Sequence, residues 1–194
     1  MNKYILTEIN IYPIKSLGGI SLNEAEVTDR GLKFDRRWMI VDSDEKSLTQ
    51  KTHPKMALLK TKISHNKLIL SHKTEDVSPL VIPIKSNFSE TTIVNVLDDL
   101  VTAFLVGKYA DEWLSDVLDY KCRLVFMPDD TERFVDRSYA AHNEIVSFAN
   151  TYPFLIIGQR SLDDLNSRLK EKLPMNRFRP NFVFNGGEPY EEDN

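Results

Sequence analysis

The sequence predicts a mainly β protein of the α+β class, and three observations carry that reading. Short alternating or β-branched runs, separated by polar turns, recur over the first hundred or so residues, as in an antiparallel barrel or sandwich. After about residue 106 the pattern changes to an amphipathic helix followed by a strand. Near the C-terminus a second helix leads through Pro174-Met175-Asn176-Arg177-Phe178-Arg179-Pro180-Asn181 into a final strand.

The elements follow in order. Tyr4 to Tyr12 alternates and reads as a strand ending at Pro13. Leu17-Gly18-Gly19 reads as a turn whose glycines take positive φ, before a second strand from Ile20 to Thr28. Asp29-Arg30-Gly31 turns the chain toward Asp35-Arg36-Arg37 and the strand Trp38–Val41, which a hairpin turn joins to Ser47–Gln50. Further strands are expected at Ala57–Ile63, Lys67–Ser71, Leu80–Ile84 and Thr91–Val96.

Asp111 to Leu118 places Trp113, Leu114, Val117 and Leu118 on one helical face. Lys121–Met127 returns to strand, with Cys122, Leu124 and Phe126 on one side, and Pro128–Arg137 reads as a loop or linker. Phe154-Leu155-Ile156-Ile157 reads as a buried strand. Ser161 to Asp164 then forms a capping box for a helix carrying Leu162, Leu165, Leu169 and Leu173. The prolines that bound residues 174–180 should stiffen that segment and extend the residue before each. It would present guanidinium forks suited to phosphate or carboxylate.

Composition narrows the function classes. With 25 Lys and Arg against 29 Asp and Glu, the net charge of −4 argues against a nucleic-acid binder working by bulk charge, so an anionic ligand needs a local cluster. The single cysteine, Cys122, excludes an internal disulfide and fits a reducing compartment. The absence of a long apolar run or a signal-peptide layout leads to the expectation of a cytoplasmic protein with no membrane partner. The four histidines lack metal-ligand spacing, so no protein-held metal site is expected.

Five stretches in order carry a resemblance: Tyr12-Pro13-Ile14-Lys15-Ser16, Asp35-Arg36-Arg37-Trp38, Leu48-Thr49-Gln50-Lys51, Ser161-Leu162-Asp163-Asp164-Leu165-Asn166, and Arg177-Phe178-Arg179-Pro180-Asn181. Together they resemble the MOSC family with its N-terminal MOSC β-barrel domain, which includes amidoxime-reducing enzymes. The resemblance implies a MOSC N-terminal β-barrel domain over residues 1–127, followed by the N-terminal part of a MOSC barrel over 128–194. It implies molybdenum cofactor, an anionic pterin dithiolene carrying a phosphate, and at the family level pyridoxal phosphate binding. The thiolate that ligates molybdenum lies in a later motif of the form PCxRC that this sequence does not contain, so a fragment or shortened member is expected. Cys122, in an earlier strand, is expected in the core rather than as a substitute ligand.

The resemblance points to Lys15, Ser16, Arg36, Thr151, Tyr152, Arg177, Arg179 and Asn181 as cofactor-binding residues. Lys15 would place an ammonium on a phosphate, aided by turn N–H groups, where its ordinary role is a solvated charge. Ser16 would add a hydroxyl, or bond its own turn. Arg36 would contact the cofactor or pair with Asp35, while Arg37 alternates to the opposite face. Arg179 leads the set, and Arg177 occupies a position that varies in the family. Asn181 would read pterin edges or cap a turn; Thr151 and Tyr152 would touch the cofactor or pack a loop.

Two function classes stay open. One is a molybdenum-cofactor-binding oxidoreductase that, when complete, reduces small N-hydroxylated or N-oxygenated substrates with electrons from a flavin or iron–sulfur partner. The other is a non-catalytic module that binds molybdopterin or carries sulfur. An incomplete second barrel would expose strand edges through which the chain would dimerise.

Overall fold

The computed structural model describes residues 3–85, 88–138 and 140–193. The chain is mainly β, as the spacing of short strands predicts, with two α-helices among the described residues. In chain order the first strands are β1 (Ile5–Ile11), β2 (Ile20–Leu22), β3 (Val27–Thr28), β4 (Gly31–Leu32) and β5 (Trp38–Val41). After a 3-10 turn at Pro54–Leu58 come β6 (Leu59–Ser64), β7 (Lys67–His72), β8 (Leu80–Pro83), β9 (Thr91–Val96) and β10 (Asp99–Leu105). Helix α1 (Lys108–Leu118), β11 (Arg123–Phe126), β12 (Ile156–Gly158), α2 (Gln159–Ser167) and β13 (Phe182–Asn185) complete the order.

These strands form three larger sheets and one two-stranded ribbon. The strand orders are β12-β13-β1-β2, β5-β11-β10-β9 and β6-β7-β8, with β3 paired to β4. The first sheet joins the two ends of the chain. β1 lies between β2 and β13, with Ile9 opposite both Leu22 and Phe182. β12 runs parallel to β13, and α2 makes the crossover between them. The Tyr12 end of β1 is thereby laid beside the Arg179–Asn181 segment.

The core explains why Trp38-Met39-Ile40-Val41 is apolar at every position. Trp38 and Ile40 enter a cluster with Leu59, Leu68, Leu70, Ile82, Leu114 and Leu124. Met39 and Val41 face the opposite side, packing with Val94, Val101, Val125, Met127 and Phe148. A strand alternates its side chains, so a strand covered on both faces must be apolar throughout. Cys122, Leu124 and Phe126 do share one side, against the first cluster, and Cys122 is buried there.

Several local expectations are corrected. The second strand breaks into β2 and β3, and Ser47 makes only an isolated bridge to Val41. The run Phe154–Ile157 is not a buried strand: β12 is the edge of its sheet, with Leu155 and Ile156 exposed. The predicted capping box is also absent. α2 begins at Gln159, and the Ser161 hydroxyl donates to Glu192 while accepting from the Tyr190 N–H. Glu192 takes the cap role from a distance by accepting from the Gly158 N–H at 2.8 Å. The helix stops at Ser167, so Leu169 and Leu173 lie beyond it. β10 has no counterpart in the sequence reading: a turn at Leu97 (φ 59°) replaces the Asn-Gly signal that usually marks a tight hairpin.

Candidate functional site

The site is built where β1 ends. Tyr12 is buried, its N–H donates to Asp35 Oδ1 at 2.7 Å, and its carbonyl accepts from the Arg36 N–H at 2.9 Å. Its hydroxyl donates to the Pro180 carbonyl at 3.2 Å. The ring then lies beside two guanidiniums, with Arg179 Cζ 4.3 Å and Arg36 Cζ 4.8 Å from the ring centroid. Neither Gly18 nor Gly19 takes the positive φ expected of them; Ser16 does, at 67°. Gly19 serves another purpose, since a Cβ there would lie 2.5 Å from the Tyr12 ring.

Around this centre a cleft of about 480 Å³ is lined by Lys15, Ser16, Arg36, Thr151, Tyr152, Arg179 and Asn181, among others. Seven of the eight residues singled out from sequence thus converge from four separate segments. Arg177 does not join them; it is exposed and faces a neighbouring cleft.

Lys15 is buried rather than solvated. Its ammonium donates to the Phe148 carbonyl at 2.8 Å and to Asn150 Oδ1 at 2.5 Å. That uses two of the three N–H bonds an ammonium offers. Burial, and then the charges of Arg133, Arg36 and Arg179, bring its pKa down to about 8. Arg133 is buried and ties the facing loop into place by donating to the Ser147, Ala149 and Asn150 carbonyls.

Arg36 fulfils both of its anticipated roles. It pairs with the buried carboxylate of Asp35 and lines the cleft, also donating to Asn181 Oδ1 at 3.0 Å and to the Arg179 carbonyl at 3.2 Å. Burial raises the pKa of Asp35, while Arg36 and the Tyr12 N–H pull against that rise. Arg37 turns away, as alternation predicts, to the Met127 carbonyl and Asp129. Arg179 donates one N–H to the Leu17 carbonyl, and its Nη2 is buried with no hydrogen-bond partner among the described residues. Burial and Arg36 bring its pKa down to about 10, which still leaves it charged at neutral pH. Arg179 also departs from the extended backbone expected before a proline, with φ at 60°.

Asn181 is almost fully buried and its amide is committed. Nδ2 donates to the Asn10 carbonyl, and Oδ1 accepts from Arg36 and the Leu155 N–H. It braces Arg36 from below the cleft. Thr151 and Tyr152 form the exposed rim, next to Pro153, which packs against Gly31: a Cβ at Gly31, whose φ is 114°, would lie 3.0 Å from the Pro153 carbonyl oxygen. Sequence reasoning about the site passed over Tyr12, Asp35, Asn150 and Arg133. Tyr12 and Asp35 stood inside recognised motifs and Asn150 adjoined the predicted Thr151 and Tyr152, whereas nothing near Arg133 signalled a role.

Electrostatically the cleft is a cationic pocket with one buried counter-charge. Lys15, Arg36 and Arg179 line it, the buried Asp35 pairs with Arg36 behind the lining, and Arg133 further back pairs with Asp99. A bound anion would accept from the buried Arg179 Nη2 and offset the burial and neighbouring cations that depress the pKa values of Lys15 and Arg179. The donor set therefore fits the anionic and polar parts of a phosphorylated ligand. A metal thiolate is not among the lining residues: Cys122 sits elsewhere, and burial raises its thiol pKa to about 11. Among the described residues, no group of three or more His, Cys, Asp or Glu is placed to hold a metal ion. None of the described helices is long and apolar enough to cross a membrane.

Comparison with known proteins places this architecture. Residues 4–121 match the MOSC N-terminal beta barrel domain and residues 143–194 match the MOSC domain. Mitochondrial amidoxime-reducing component 1 of Mus musculus is 32% identical over 197 residues, covering 97% of this chain and 57% of that protein. Mitochondrial amidoxime reducing component 2 of Rattus norvegicus is 31% identical, covering 97% and 58%. Molybdenum cofactor sulfurase of Solanum lycopersicum is 29% identical, covering 98% and 26%. The chain thus spans a little over half of the first two relatives and about a quarter of the third. With one model covering most of the chain and the other matching its C-terminal part, the chain belongs to the family built from a MOSC N-terminal beta barrel domain and a MOSC domain.

Proposed function

We propose that the cleft binds molybdenum cofactor by its phosphate and pterin, and that the chain serves the reduction of N-hydroxylated or N-oxygenated compounds. The observation that carries this reading is the convergence of Lys15, Arg36 and Arg179 on one cleft, with the buried Asp35 carboxylate paired to Arg36. The relatives' names, amidoxime-reducing component and molybdenum cofactor sulfurase, supply the identity of the anion.

In this reading Lys15, Ser16, Arg36 and Arg179 hold the phosphate and pterin, Thr151 and Tyr152 close the rim, and Asn181 fixes Arg36. With a division into residues 1–127 and 128–194, Lys15, Ser16, Arg36 and Thr49 would come from the first unit and the remaining walls from the second. The bound molybdenum centre would supply the two-electron redox chemistry, fed by a flavin or iron–sulfur donor. The chain's own part is charge and orientation: Arg36 and Arg179 hold the anion, and Lys15 contributes one further ammonium N–H.

A second reading, a non-catalytic module that holds molybdopterin or carries sulfur, is favoured by the similarity to the sulfurases and by the position of Cys122 outside the cleft. Purification from a cofactor-competent host, followed by pterin and molybdenum analysis, tests the shared premise. Cofactor should accompany the wild-type chain and be lost from Arg36→Gln and Arg179→Gln. Its absence from the wild type would refute cofactor binding. With cofactor bound, turnover of an amidoxime substrate selects the reductase, and its failure selects the carrier.

A further inference from the structure

A second cleft, of about 830 Å³, lies on the far side of Arg179. Its walls are the glycine turn at Gly18-Gly19, the 3-10 turn near Pro54, and the Met175–Pro180 segment. Four basic side chains, Lys51, Lys73, Arg177 and Arg179, line it against one carboxylate, Glu8. The chain as a whole is acidic, with 25 basic residues against 29 acidic ones. A four-to-one excess of cations in one concavity is therefore a local concentration against the overall balance.

Lys51 and Arg177 belong to motifs that the first cleft uses only in part. In Leu48-Thr49-Gln50-Lys51, Thr49 lines the first cleft, whereas Gln50 and Lys51 line the second. Gln50 fastens the wall between them by donating to the Ser16 carbonyl at 2.6 Å. In the arginine segment, Arg179 lines both clefts and Arg177 only the larger. Lys73 is held at the rim by the Ala57 carbonyl at 2.6 Å. Among the described residues, neither Lys51 nor Arg177 is paired with a carboxylate.

We propose that this larger cleft is a separate anion-binding site, taking the phosphate or carboxylate of a small organic anion at Lys51, Lys73 and Arg177. Arg179, forming part of both walls, couples it to the first cleft. A ligand there sits beside whatever occupies the first cleft and shares its cationic wall. The site stands independently of the identity of the cofactor, since none of Lys51, Lys73 and Arg177 lines the first cleft.

The test is titration of the isotope-labelled chain with inorganic phosphate and, separately, with succinate, read by backbone amide shifts. Gly18, Gly19 and Asn176 report the larger cleft, and Phe148, Ala149 and Asn150 report the smaller one. Saturable shifts at the first set are expected, weakened at least about fivefold in Lys51→Gln/Arg177→Gln and by added salt. Shifts at the second set should survive that double substitution and be lost in Arg36→Gln. A response to phosphate alone identifies a phosphate ester, and a response to succinate alone a carboxylate. No saturable shift at the first set with either probe overturns the proposal, as does binding that the double variant leaves unchanged. Failure of the smaller cleft alone would count against cofactor binding and leave this site standing.

Discussion

Tyr12 is the test of how the site is held together. Tyr12→Leu removes the ring that lies beside both Arg36 and Arg179, and with it the hydrogen bond to the Pro180 carbonyl. Two buried cation–π contacts at 4.3 and 4.8 Å are worth roughly 2 kcal/mol together. The hydrogen bond adds about 1 kcal/mol. Tyr12→Phe forfeits only the hydrogen bond. Urea unfolding should then show Tyr12→Leu less stable than wild type by about 3 kcal/mol or more, and Tyr12→Phe by about 1 kcal/mol. Binding of inorganic phosphate in the smaller cleft should follow the same order, because the ring sets where the two forks stand. If Tyr12→Phe were as damaging as Tyr12→Leu in both measurements, the hydroxyl rather than the ring would organise the site. The cation–π argument would then be wrong.

Gly19→Ala should weaken the same site without touching a charged group, since its Cβ would lie 2.5 Å from the Tyr12 ring and displace it. A thermal melt lowered by several degrees, together with weaker phosphate binding, is expected; an unchanged melt would mean that the turn yields freely. Lys15 makes both affinity and stability depend on pH around 8. Its folded pKa lies below the ordinary lysine value of 10.5, so between about 8 and 10.5 the unfolded chain carries the extra proton and stability rises with pH. Below about 8 both states are protonated and this contribution is flat. Anion affinity runs the opposite way, falling as pH rises through 8 because the ammonium is lost; a Lys15→Met variant should abolish that dependence in a titration calorimeter.

The sequence showed the class of fold through its succession of short strands and polar turns, among them Trp38-Met39-Ile40-Val41, which is apolar throughout and covered on both faces. It misread β12 for a related reason. Phe154-Leu155-Ile156-Ile157 is just as apolar, yet it forms a sheet edge, and no local pattern distinguishes an apolar strand that is covered from one that is not. The capping box failed because Glu192, far along the chain, competes for the Ser161 hydroxyl. In the site, Lys15, Ser16, Arg36, Arg179 and Asn181 meet the cleft and were legible through their motifs. Arg133 was not, since its role is to hold three carbonyls of the Ser147–Asn150 loop, and a buried arginine in a polar run looks like a surface charge.

Backbone conformation ties the candidate residues together more tightly than their charge does. Ser16, Arg36 and Arg179 all adopt left-handed φ values, of 67°, 50° and 60°, and all three line the smaller cleft. That conformation costs a residue bearing a Cβ roughly 1 kcal/mol, and it persists only where the surroundings impose it. Here they do: the Arg36 N–H is held by the Tyr12 carbonyl, the Arg36 carbonyl by the Phe148 N–H, and the Arg179 carbonyl by the Arg36 guanidinium. Glycine would relieve the strain at each position but would present no side chain to the cleft. The comparison of Arg179→Gly with Arg179→Ala separates the two demands, because both delete the fork and only glycine accepts the backbone. The glycine variant should be the more stable of the pair by about 1 kcal/mol, while both lose phosphate binding in the smaller cleft equally. An alanine variant at least as stable as the glycine variant would show that the segment relaxes once the guanidinium is gone. The left-handed turn at Arg179 would then be a consequence of the side chain's contacts with Leu17 and Tyr12, rather than a conformation imposed by the fold to aim it.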